Sequence, residues 1–79
     1  MGKKDKAVQQ FEAQAKKDND EGLYALGYCY ELGHVSKPNP ETAIAYYISA
    51  AKLGNIHAKK RLKEKYGIDV DVESSKDKE

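Results

Sequence analysis

Apolar residues recur at three- and four-residue spacing through most of the chain, and breaks rich in glycine, asparagine and proline divide that pattern into four short helical segments and a polar tail. Ala7, Val8, Phe11 and Ala15 lie along one side of the first segment, predicted from Asp5 to Lys17. "DNDEG" then interrupts the pattern. Asn19 or Asp20 supplies a cap, and Asp20 and Glu21 suit the positive end of the helix that follows. That second segment, "GLYALGYCYELG" from Gly22 to Gly33, carries three tyrosines and no charge before Glu31, although 34% of the chain is charged. Leu23, Leu26, Gly27 and Tyr30 share one side of it, and Tyr24, Tyr28 and Leu32 recur on roughly the other. A helix apolar on both sides packs between neighbours or keeps one side for a partner. Gly33 suits a left-handed C-terminal cap. Asn39-Pro40-Glu41 opens a third segment, "ETAIAYYISAAKL", which stops at Gly54; Asn55 caps a fourth, "IHAKKRLKEKY", which ends at Gly67.

The segments repeat. Thirty-six residues after Ala7, Ala15, Lys16, Asn19, Leu26 and Tyr30 stand Ala43, Ala51, Lys52, Asn55, Leu62 and Tyr66, identical in every case, and Val8 to Ile44 and Phe11 to Tyr47 are conservative matches at the same offset. This is the period of a helix-turn-helix unit that buries its apolar face by stacking on its neighbours. Gly27 costs about 1 kcal/mol relative to alanine inside a helix, so its presence points to close approach of a second helix. Ala43, Ala50 and Ala51 offer a small facing surface, with Leu26, Tyr30 and Tyr47 filling the gaps.

The run Leu26-Gly27, Tyr30, Gly33, Val35, Ala43, Tyr46-Tyr47, Ala50-Ala51, Gly54 and Ala58 resembles the Sel-one-like (Sel1) repeat, a relative of the tetratricopeptide repeat. The likeness covers one full helix pair from about Gly22 to Lys52 and extends weakly into half-repeats on either side, where Leu62 and Tyr66 echo Leu26 and Tyr30. The chain departs from the pattern at His34, at Asp18 and Gly22, and after Leu62. The resemblance implies an all-α array, one full repeat flanked by half-repeats over residues 1–67, that scaffolds other proteins without catalysis. Residues 68–79 form an acidic tail, expected to be disordered.

Composition narrows the alternatives. Seventy-nine residues with a net charge of +1 make a single small unit. No apolar run approaches the roughly 20 residues that span a bilayer, and the lysines of "MGKKDKAVQQ" are not followed by the apolar core of a signal peptide, so the expected compartment is the cytoplasm. Cys29, the lone cysteine, has no His, Lys or Arg near it in sequence to activate a thiolate and reads as a packing residue. Cys29, His34 and His57 lack metal-ligand spacing, no phosphate loop follows a strand, and no nucleophile, base and orienting group occur as a set. The sequence therefore points to no enzyme, metal or cofactor.

Charge is unevenly placed. Twelve Lys or Arg against eight Asp or Glu up to Gly67 make the body basic by four, and two against five beyond it make the tail acidic by three. The densest basic run, "KKRLKEK", surrounds the inward Ala58, Leu62 and Tyr66. Ile68, Val70 and Val72 alternate with Asp69 and Asp71, as in a short strand that could join a partner's sheet edge, and the tail's acids could instead fold back on the lysines. The reading that emerges is a protein–protein interaction module, expected to be a stand-alone adaptor or stoichiometric inhibitor, with a fragment of a longer repeat array as the alternative. Its expected contact surface is Tyr24, Tyr28, Glu31 and Leu32, with Lys59, Lys60 and Lys63 as a basic margin. The alternatives are nucleic-acid binding through the basic fourth segment and head-to-tail self-assembly into a homo-oligomer through the open ends of the array.

Overall fold

A computed structural model describes residues 6–35 and 37–70. They form four helices: α1 (Lys6–Lys16), α2 (Asp20–Leu32), α3 (Pro40–Lys52) and α4 (Ile56–Tyr66). Each packs on the next in chain order, and no strand occurs among the described residues. The fold is the all-α repeat fragment expected from the spacing.

The boundaries follow from local chemistry. Helix ends leave backbone N–H and C=O groups without helical partners. The Asn19 side chain accepts hydrogen bonds from the Glu21 and Gly22 N–H groups at 2.9 and 3.4 Å. Asn39 accepts from Thr42 N–H at 3.1 Å, with Pro40 in the first turn, and Asn55 accepts from Ala58 N–H at 2.8 Å. Gly33 closes α2 in the left-handed region at φ 87°, and both its N–H and that of His34 donate to the Cys29 carbonyl.

The thirty-six-residue period extends to the backbone hydrogen bonds. Asn19 N–H donates to the Gln14 carbonyl at 3.1 Å, and Asn55 N–H to the Ala50 carbonyl at 3.0 Å; Asp18 and Gly54 donate likewise to Ala15 and Ala51. The two turns therefore share one conformation, in which Gly54 takes φ 101° and Asp18 takes φ 59°. An L side chain in that region costs about 1 kcal/mol, so the aspartate that departs from the family pattern at position 18 is a local strain.

Two apolar clusters hold the array together. Ala43, Tyr47, Ala50, Ala51, Ala58 and Leu62 are fully buried in the larger, with Leu23 and Val70. Val8, Leu26 and Cys29 form the smaller, where Cys29 packs as expected. Gly27 has the close approach its helix cost implied: a Cβ there would lie 2.7 Å from the Tyr47 ring and 3.1 Å from the Ala43 carbonyl. Gly22 is a second such position, since its Cβ would meet Gln14 Cβ at 2.5 Å.

One expectation needs correction. Val70 is 7% exposed and belongs to the larger cluster, with Ile68 packed against it, and Ile68 N–H donates to the Leu62 carbonyl at 2.9 Å. Ile68 and Val70 therefore pack on the core and extend the folded body past Gly67 instead of presenting their apolar side to a partner's sheet edge. The remainder of the tail, including Val72, lies outside the described residues.

Candidate partner-binding surface

The chemistry of the α2–α4 junction centres on Glu31. Its side chain is 5% exposed, and four donors converge on it. Tyr47 O–H and Arg61 Nε reach Oε1 at 2.6 and 2.9 Å, while Tyr66 O–H and Lys65 Nζ reach Oε2 at 2.8 and 2.7 Å. A buried carboxylate is tolerated when its lone pairs are satisfied and its charge is opposed, and both conditions hold here. Burial pushes its pKa up, but the hydrogen bonds from Lys65, Tyr47, Tyr66 and Arg61 win and hold it at about 2. The tyrosines move the other way. Burial and the Glu31 hydrogen bond raise the Tyr47 phenol well above its ordinary value and push Tyr66 up to about 12.

Glu31 was expected in the partner contact, and the structure corrects this: its carboxylate is consumed inside the protein, joining α2 to α3 and α4. The sequence held one signal of this. A tyrosine as deeply buried as Tyr47 needs a partner for its hydroxyl, and Glu31 is the only acid in α2 beyond its first turn. A second link, Asn55 Nδ2 to Asp20 Oδ2 at 2.9 Å, joins the start of α4 to the start of α2.

Around this anchor, the exposed side of α2 meets α4. Tyr24 is half-buried, its ring 5.5 Å from that of Tyr47 and 6.0 Å from His57. Tyr28 is 42% exposed beneath the Arg61 guanidinium, 5.2 Å above its ring, and Leu32 is 48% exposed at the end of the helix. A shallow groove runs between Tyr24 and the His57, Lys60, Arg61 and Glu64 side chains. Tyr24 thus finishes the core while Tyr28 and Leu32 stay open. His57 and Arg61 were missed from sequence, because only the tertiary crossing of α2 and α4 brings them beside the tyrosines.

The predicted basic margin lies on one flank. Lys59, Lys60 and Lys63 line the outer side of α4 with Ile56, and Lys60 also borders the adjoining groove with Tyr24. Lys63 Nζ lies 3.3 Å from Asp69 Oδ1, a solvent-exposed pair, and Lys65 and Arg61 serve Glu31. Arg61 and Lys65 are therefore drawn out of the basic run, which leaves Lys59, Lys60 and Lys63 on the outer flank. The tail's return to the lysines has one described participant, Asp69.

Among the described residues no group of three or more His, Cys, Asp or Glu is placed to hold a metal ion, and no helix is long and apolar enough to cross a membrane. The repeat-motif residues are where the array needs them: Leu26, Gly27, Ala43, Tyr47, Ala50, Ala51, Ala58 and Leu62 buried, Tyr30 stacked on Tyr46 at 5.5 Å, Tyr66 on Glu31, and Gly33 and Gly54 in left-handed turns.

No curated protein and no solved structure matches the chain significantly. The family model of the Sel1 repeat matches residues 20–55, which run from the start of α2 to the cap of α4. Sel1 repeats generally mediate protein–protein interaction, and proteins that carry them are typically non-catalytic interaction modules. With its complete helix pair, flanking half-repeats and thirty-six-residue period, the chain carries a Sel1 repeat over residues 20–55, a match that supports a Sel1-like repeat family.

Proposed function

We propose that this protein is a non-enzymatic interaction module that engages a partner protein through the outward side of α2 and the adjoining edge of α4, and acts by occupancy as a small adaptor or stoichiometric inhibitor in the cytoplasm. The observation that carries the reading is the open pair Tyr28 and Leu32 on a helix whose other contacts are fixed by Glu31. Preorganisation of this kind lowers the ordering cost of binding, and tyrosine and arginine side by side are the residue types that concentrate binding energy. The groove edged by Tyr24 and His57 borders the surface.

The test is an affinity capture from the native cell with the wild-type chain and with Tyr28→Ala/Leu32→Ala. The partner retained by the wild type should be lost or held at least about tenfold more weakly by the variant, at an unchanged helical circular dichroism spectrum. Equal retention would place the contact elsewhere on the molecule.

A further inference from the structure

The repeat register gives the outer flank of α4 a second meaning. Thirty-six residues separate Leu23 from Lys59, Tyr24 from Lys60 and Gly27 from Lys63. In α2 those positions receive α3: Leu23 and Tyr24 pack on the cluster that contains Tyr47, and Gly27 lets the Tyr47 ring approach. On α4 the equivalent face is open, and it carries three exposed lysines beside Ile56, the most exposed large hydrophobic among the described residues at 71%. A helix like α3 cannot seat there, because Lys63 occupies the place where the ring needs a glycine. Stacking of a second copy through this end is therefore disfavoured, both by that side chain and by the basic α1 terminus it would meet, with Lys6, Lys16 and Lys17 exposed.

We propose that this flank of α4 is a docking site for an acidic, amphipathic segment of another protein, which lies where the next helix of the array would lie, sets its carboxylates on Lys59, Lys60 and Lys63, and covers Ile56 with an apolar side chain. Charge complementarity carries the choice of occupant. The chain's own Asp69 already places a carboxylate on Lys63 at 3.3 Å, so the face accepts acids in the geometry required. A nucleic-acid backbone fits less well, because Ile56, exposed among the lysines, has no use for a phosphate. The surface adjoins the Tyr28–Leu32 pair without including it.

A fluorescein-labelled amphipathic peptide with glutamates flanking leucines, titrated into the full chain and followed by polarisation, provides the probe. Binding should weaken with salt, fall about tenfold in Lys59→Glu/Lys63→Glu, and fall again in Ile56→Ser, while Tyr28→Ala/Leu32→Ala binds as the wild type does. Because every substitution is at an exposed position, circular dichroism should be unchanged throughout. No binding, binding indifferent to Ile56→Ser, tighter binding of a generic DNA duplex, or a mass above 8.8 kDa that grows with concentration would each overturn the proposal. Loss of peptide in Tyr28→Ala/Leu32→Ala alone would move it to the α2 surface.

Discussion

Glu31→Ala should lower stability by about 3 kcal/mol, most of what a core of this size supplies, and leave the chain partly unfolded at ambient temperature. The loss follows from the four donors left behind. The Tyr47 hydroxyl sits on a side chain with no exposed surface and cannot turn to water, whereas Arg61 and Lys65, at 29% and 53% exposure, recover part of their solvation. The depressed acidity leads to a similar figure: a carboxyl held at about 2 instead of 4.5 contributes about 3 kcal/mol to the folded state. Because the folded value is depressed, that contribution is complete above the ordinary carboxylate range and drains away as pH falls through it towards 2. The raised Tyr47 and Tyr66 values act at the other end, with stability present below the ordinary phenol range and lost as pH rises through Tyr66's value of about 12. Chemical denaturation as a function of pH should show both losses in the wild type, and a much shallower acid limb in Glu31→Ala. An acid limb of equal slope in the two proteins would remove Glu31 from this role.

Gly27→Ala should destabilise by about 1–2 kcal/mol, although alanine is the better helix former by about 1 kcal/mol. The added Cβ falls 2.7 Å from the Tyr47 ring and 3.1 Å from the Ala43 carbonyl. Tyr47 cannot swing aside without lengthening its 2.6 Å hydrogen bond to Glu31. Overpacking therefore outweighs propensity, and the two sites are coupled: in the Glu31→Ala background the same substitution should cost less, because the ring is then free to shift. Thermal melts of the four proteins measure this coupling. A stabilising Gly27→Ala would show that α3 does not approach α2 as described.

The fold was legible because its signals are local and repeated. Asn19, Asn39 and Asn55 mark helix starts by side-chain chemistry, Gly33 and Gly67 mark ends by conformation, and Gly27 announces a close neighbour by its helix cost. The site was legible only in part. Tyr28 and Leu32 follow from the helical period of α2, but the destination of Glu31 depends on Tyr47, Tyr66, Arg61 and Lys65, which lie 16 to 35 residues away. Periodicity shows which side of a helix a residue occupies, and it is silent on what crosses that side. For the same reason the lysines of α4 read as one basic run in sequence and divide in space: Lys65 turns inward to Glu31, while Lys59, Lys60 and Lys63 flank Ile56.

The central claim is that the partner is held by the outward side of α2, and side-chain footprinting by hydroxyl radicals on the complex tests it most directly. Once the captured partner is bound, Tyr28 and Leu32 should be strongly protected from oxidation, while Leu53, half-exposed and at the α3–α4 turn, should react as in the free chain. Unchanged oxidation of Tyr28 and Leu32 in a saturated complex would contradict the account.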